Sequence, residues 1–81
     1  MNSITIRFFG PARDLAGADH IRIEVGDQES LGSLAGRLAE RYEQLGRIPG
    51  VRLAVNRAFV ALNHPLADGD EVAVIPPVSG G

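Results

Sequence analysis

The residues with most to offer chemically in this 81-residue sequence stand at its end, Pro76-Pro77-Val78-Ser79-Gly80-Gly81. Side-chain nucleophiles are scarce elsewhere. There is no cysteine, which excludes disulfide staples, zinc–thiolate sites, Cys-ligated iron–sulfur clusters and a persulfide carried on a side chain. There is no lysine either, and all eight basic residues are arginine. His20 and His64 are the only histidines; they flank predicted turns, far apart in sequence, and read as loop residues. Asp68, Asp70 and Glu71 could be a cation site or an Asp-Gly-Asp turn leading into a solvated strand edge. Turn chemistry is the simpler account, so no metal site is expected.

The remaining group is the carboxylate of Gly81. Pro76 and Pro77 cannot donate sheet hydrogen bonds, so a strand must end there and the chain must leave the body. Proline also favours extended backbone, and six extended residues reach at most about 20 Å. Gly80 and Gly81 carry no side chain. Two readings are open: a frayed terminus, or a stiff arm with a slender tip that threads a narrow tunnel in a partner. On the second reading Gly81 presents its carboxylate there. A carboxylate is a poor electrophile; joining it to AMP provides a leaving group that a sulfur nucleophile can displace. The absence of lysine is either a compositional preference or protection of an activated C-terminus from amine attack, because guanidinium stays protonated.

The elements that would position this tail follow from periodicity. Ile4, Ile6 and Phe8 alternate with Thr5, Arg7 and Phe9, which predicts a strand ended by Gly10-Pro11. Ile21, Ile23 and Val25 predict a second strand, reached by a long connection. Ser30 reads as a helix N-cap, and Leu31, Leu34, Ala35, Leu38, Tyr42 and Leu45 share one helical face. Gly46 is placed at that helix's C-terminal cap, and Pro49 prevents its resumption. Val51, Leu53 and Val55 predict a third strand, turned by Asn56-Arg57 into a short fourth at residues 59–62. Asp68-Gly69 is a second turn before the last strand, Glu71–Ile75. The order β-β-α-β-β-β with one helix predicts an α+β fold, a mixed sheet with the helix on one face. The first and last strands are apolar on both faces, which suits neighbouring central positions.

Length allows one domain, residues 1–81 with 76–81 as its tail, and one core, so any chemistry falls at the surface or in a partner. Ten acidic residues oppose eight scattered arginines, which leaves no basic stripe for nucleic acid. No apolar run approaches the roughly 20 residues of a membrane helix. Met1 to Ile6 lack a signal peptide's apolar centre, so the expected location is the cytoplasm.

Three segments carry a resemblance. His64 to Gly81, Phe8-Phe9-Gly10-Pro11-Ala12-Arg13-Asp14-Leu15-Ala16-Gly17 and Leu53-Ala54-Val55-Asn56 together resemble the small subunit of molybdopterin synthase, within the ubiquitin-like β-grasp sulfur carriers. The departures are Gly10-Pro11, where the family has a small and then a variable residue, and Asp14, where it often has Glu. The resemblance implies a β-grasp fold and a carrier that is not catalytic alone. A partner ATP-dependent adenylyltransferase would activate Gly81. A sulfur donor system would convert it to a thiocarboxylate. The large catalytic subunit, in a heterotetramer, would then use that sulfur on cyclic pyranopterin monophosphate to build the dithiolene that later binds molybdenum. Gly81 would carry the sulfur and Gly80 supply slenderness; Val78 and Ser79 would line the tail, and Pro76 and Pro77 aim it. No bound cofactor is implied, ATP being the partner's substrate. Alternatives are a carrier for thiamine or cysteine biosynthesis, a ubiquitin-like protein modifier, or an interaction module with an inert tail.

Strand phase adds an expectation about the partner. If Ile4, Ile6 and Phe8 face the helix, Phe9 faces away; if Val72 and Val74 face it, so does Ile75 face away. With Phe59, placed there by the resemblance, these would form an apolar partner-binding patch beside the tail exit. The alternative is that one or more of them completes the core through a strand irregularity.

Overall fold

A computed structural model describes residues 2–77. The predicted tail residues Val78, Ser79, Gly80 and Gly81 lie outside the described residues. Five strands form one sheet: β1 (Asn2–Phe8), β2 (His20–Val25), β3 (Arg52–Val55), β4 (Ala58–Phe59) and β5 (Glu71–Ile75). Their order is β2-β1-β5-β3-β4. β5 runs parallel to β1 and antiparallel to β3, so the sheet is mixed and the first and last strands are neighbours, as their two-sided apolar character predicts. One long helix, α2 (Leu31–Arg41), packs on a single face. Leu31, Leu34 and Leu38 of α2 meet Ile4, Ile6, Phe8, Val55, Val72 and Val74 in one buried cluster. This is the β-grasp arrangement.

The start of α2 is built as its sequence predicts. Ser30 Oγ accepts from Ser33 N–H at 3.1 Å, the N-cap bond. The next free donors of the first turn are met by main chain from the β4–β5 connection: Leu31 N–H donates to His64 O at 2.9 Å and Gly32 N–H to Leu62 O at 2.8 Å. This approach accounts for Gly32, where a Cβ would stand 3.2 Å from Leu62 O. The end of α2 departs from expectation. The α-helix stops at Arg41, and Glu43–Arg47 tighten into a 3-10 turn that contains Gly46. Leu45 is nevertheless buried, and the half-buried Tyr42 meets the Phe8 ring edge-to-face at 5.5 Å. Burial of this apolar side outweighs continued α-helical bonding.

Two further differences are local. The predicted long connection between β1 and β2 contains a short helix, α1 (Pro11–Ala16), with Pro11 at its start and a left-handed Gly17 closing it. That is the usual proline-first, glycine-last asymmetry. The fourth strand is two residues, not four, because the chain turns from Phe59 toward the start of α2. The turns hold as read. Asn56 and Arg57 both take positive φ, 49° and 71°, as a two-residue hairpin demands. Asp70 is engaged in turn bonding, accepting from Asn56 Nδ2 and Ala67 N–H, both at 2.8 Å. Asp68 accepts from Ser3 N–H at 2.7 Å. His20 opens β2 rather than lying in a loop. Among the described residues there is no group of three His, Cys, Asp or Glu side chains able to hold a metal, and no helix is long and apolar enough to cross a membrane.

Glu29 ties these parts together. Its carboxylate, 13% exposed, accepts from Gly26 N–H at 2.9 Å, Ser33 Oγ at 3.1 Å and Arg37 Nη1 at 2.9 Å, while its carbonyl accepts from Leu66 N–H. Desolvation pushes its pKa up, but these donors together outweigh it and hold the group below the ordinary glutamate value. The folded chain therefore binds this proton less tightly than the unfolded chain. The contribution to stability is present above the unfolded pKa and is lost as pH falls through the lower folded one. Glu29→Gln is expected to cost about 1–3 kcal/mol at pH 7. Urea midpoints measured against pH should show the difference from wild type shrinking through the acid range; a constant difference would mean that the charge is not what stabilises.

Candidate functional site

The last strand determines where the tail leaves. β5 lies between two strands, and its bonding to β1 continues to Phe9 N–H···O Val74 at 3.2 Å. Pro76 then ends the ladder, having no N–H to donate. Pro76 is half-buried and Pro77 exposed. Each meets a glycine. A Cβ at Gly10 (φ +56°) would stand 3.0 Å from Pro76 Cγ, and one at Gly50 (φ +78°) would stand 3.2 Å from Pro77 Cβ. Gly10 follows β1 and Gly50 precedes β3, so the prolines touch the backbone on both flanks of β5.

The face of the sheet away from α2 carries the predicted patch. Register builds it in two rows. Arg7 is opposite Ala73, Ala73 opposite Ala54, and Ala54 opposite Phe59. One step toward the tail exit, Phe9 follows the Phe8–Val74 pair and stands level with Ile75, which is opposite Arg52. Side chains directly opposite share a face, so Phe9, Ile75 and Phe59 lie on the same side. Phe9 is 41% exposed and Phe59 53%, whereas Phe8 is 3% exposed within the core. A strand irregularity that returned Phe9 to the core is thereby ruled out. Three strand spacings separate β1 from β4, about 14 Å, and between the two rings lie Ala73, Ala54, the half-buried Ile75 and Arg52. Two exposed aromatic rings thus stand at the sides of this face, with Ala54, itself buried, between them.

Sequence reasoning missed the two arginines that attend those rings. Arg7 places its guanidinium 5.5 Å from the centre of the Phe9 ring, and Arg52 stands 3.8 Å from that of Phe59. Such contacts are worth about 0.5–1 kcal/mol at exposed sites. They keep part of this flat apolar surface covered. Arg7 could have been found from its place two residues before Phe9 on one strand face. Arg52 could not, because its neighbours depend on the β3–β5 register. Gly10 reads from sequence only as the end of the first strand, and no local pattern singles out Gly50. The predicted Val78, Ser79, Gly80 and Gly81 fall outside the described residues.

A mixed sheet grasping one long helix, with its last strand internal and its C-terminal prolines emerging beside an open apolar face, is the frame of the ubiquitin-like β-grasp carriers. The chain matches the ThiS family over residues 6–81 and belongs to it. It is 38% identical over 81 residues to the molybdopterin synthase sulfur carrier subunit of Escherichia coli, covering 96% of this chain and 99% of that one. A solved structure from Pyrococcus furiosus, provisionally assigned as molybdopterin converting factor subunit 1, superposes with a TM-score of 0.88 at 29% identity, covering 96% of this chain and all of that one. Another, from a complex of subunits 1 and 2 of molybdopterin-converting factor of Helicobacter pylori, gives 0.73 at 30% identity, covering 98% of this chain and 99% of that one.

The neighbouring phenylalanines give a direct check of the two faces. Phe8→Ala is expected to cost about 3–5 kcal/mol of stability. Phe9→Ala should cost well under about 3 kcal/mol, since its ring leaves water only in part. Urea unfolding of both variants measures this, and equal losses would put Phe9 inside the core.

Proposed function

We propose that this chain is the sulfur-carrier subunit of a molybdopterin synthase, a carrier and not a catalyst on its own. The observation that carries the reading is the family match, which runs through residue 81 and so takes in the Gly80-Gly81 end. The likeness to named carrier subunits over nearly the whole length of both chains supports the same pathway. The position of Pro76 and Pro77 beside the open face supports a docking geometry in which the face binds and the tail is delivered.

The chemistry proposed for Gly81 balances in three steps. Its carboxylate oxygen attacks the α-phosphate of ATP on the partner adenylyltransferase, and pyrophosphate leaves. Hydrosulfide supplied by the donor system attacks the acyl carbon, AMP leaves, and a C-terminal thiocarboxylate results. That sulfur then bonds to a carbon of cyclic pyranopterin monophosphate within the large catalytic subunit, in the cytoplasm, and water cleaves the C(O)–S bond, returning the Gly81 carboxylate. The chain itself binds neither ATP nor metal in this scheme. Its contribution is to hold an unhindered acyl group at the end of an arm. Gly81 lacks the β-carbon that would crowd the carbonyl, Gly80 keeps the tip narrow, Ser79 and Val78 fill the tunnel, and Pro77 and Pro76 direct entry. Phe9, Phe59 and Ile75, with Arg7 and Arg52, form the docking face.

Intact mass after incubation with adenylyltransferase, ATP and a sulfur source tests the reading, the expected change being one oxygen replaced by sulfur at the C-terminus. An unchanged mass, or an acyl bond to protein amines instead, would overturn it. Deleting Gly80 and Gly81 should abolish molybdopterin formation and leave the unfolding temperature nearly unchanged, because the described core cluster, from Ile4 to Val74, is already closed ahead of the prolines. Phe9→Ala should weaken binding to the large subunit or to the adenylyltransferase by about 2 kcal/mol, read by calorimetry. Unaltered affinity for both would remove the patch from the mechanism.

A further inference from the structure

Resting on the carrier reading above, we propose that Gly10 and Gly50 are positioning residues: together they form a two-point seat for Pro76 and Pro77 that sets the direction in which the tail leaves the sheet. Three observations converge. Both glycines take positive φ, +56° and +78°, where L side chains are rarely found. Each presents bare backbone to a proline: a Cβ would come within 3.0 Å of Pro76 at the first and 3.2 Å of Pro77 at the second. Carbon atoms pack comfortably at about 3.5–4.0 Å, so neither position accepts a side chain while the prolines stay in place. Third, the seats lie on opposite flanks of β5, one after its parallel neighbour and one before its antiparallel neighbour.

Two consecutive prolines, each with φ fixed near −65°, make a short rigid piece, and a rigid piece held at two points has a direction. That direction matters through leverage. The Pro76 and Pro77 Cα atoms are about 3.8 Å apart, and four further residues extend at most about 14 Å. A displacement of about 0.5 Å at Pro77 swings the Pro76–Pro77 line by roughly 8°, which would move the end of any fully extended four-residue arm by about 2 Å. Misplacement by about 1 Å at a reacting centre can cost a factor on the order of 100 in rate. The seat thus has the sensitivity needed to matter at Gly81 while lying several residues away from it. A rigid aim relative to the docking face also lets one binding event fix both the body and the entry path.

The decisive comparison is Gly50→Ala against Gly69→Ala. Gly69 also has positive φ, +86°, but no atom lies within 4 Å of its added Cβ, and it sits in the turn before β5. Both variants carry the backbone strain of alanine at positive φ; only the first disturbs a proline. Both should therefore lose stability to a similar extent. Gly50→Ala should lower kcat/KM for adenylation of the tail by about tenfold or more, with binding through the open sheet face little altered. Gly69→Ala should stay within about twofold of wild type. Equal adenylation by the two variants would overturn the proposal. NMR of the wild-type chain supplies a measurement independent of variant folding and of activity: cross-peaks between Gly50 Hα and the Pro77 ring protons, and between Gly10 Hα and those of Pro76. Their presence supports the seat and their absence overturns it. Wild-type chain that is never adenylated would instead defeat the carrier reading, and the cross-peaks would still decide whether the seat exists.

Discussion

β5 is hydrogen-bonded on both edges, parallel to β1 and antiparallel to β3, and the rest of the molecule is arranged around that double pairing. A strand so placed must be apolar toward the helix, and Val72 and Val74 are fully buried there. It also cannot drift, because a slip of one residue would turn both valines to the other face. The consequence is felt at its end. Where β5 stops, the chain emerges from the middle of a sheet rather than from a loose edge, and the prolines are flanked on both sides.

The second constraint is arithmetic of faces. One eleven-residue helix covers one side of five strands, and nothing in the described residues covers the other. The sequence meets this unevenly. Arg7, Thr5 and Arg52 make part of the open face polar, while Ala73 and Ala54 leave its middle low and Phe9 and Phe59 stand at its sides. A guanidinium against each ring covers part of its aromatic carbon. Aromatic residues and arginine are also the types enriched where protein interfaces are strongest.

Much of this was legible in the sequence because the patterns were short-range. Alternation in Ile4, Ile6 and Phe8, the Ser30 cap, the Asn56-Arg57 and Asp68-Gly69 turns and the Pro76-Pro77 stop each depend on neighbours a few residues away. The face assignment of Phe9 and Ile75 followed from strand phase alone. The misreadings have equally local causes. Gly10-Pro11 ends a strand, but Pro11 also opens α1, and the first signal concealed the second. The apolar spacing through Leu45 is real, yet a 3-10 turn satisfies it as well as an α-helix does. Residues 60–62 read as strand but leave the sheet, and Leu62 O meets the free donor of Gly32. The rest depended on register. No sequence pattern announces that Arg52 will lie over Phe59, or that Gly50 will face Pro77.

The parallel sense of β1 and β5 has a practical side. Thr5 is opposite Glu71 and Phe8 opposite Val74, so the two strands point the same way, and Asn2 lies at the end of the sheet opposite to Ile75. Seven strand residues span about 23 Å. A purification tag, fluorophore or surface linker joined ahead of Asn2 would therefore be carried on the far pole, with the width of the sheet between it and the prolines. In an antiparallel pair of the same length the two ends would be side by side, and any such attachment would crowd the arm it was meant to report on.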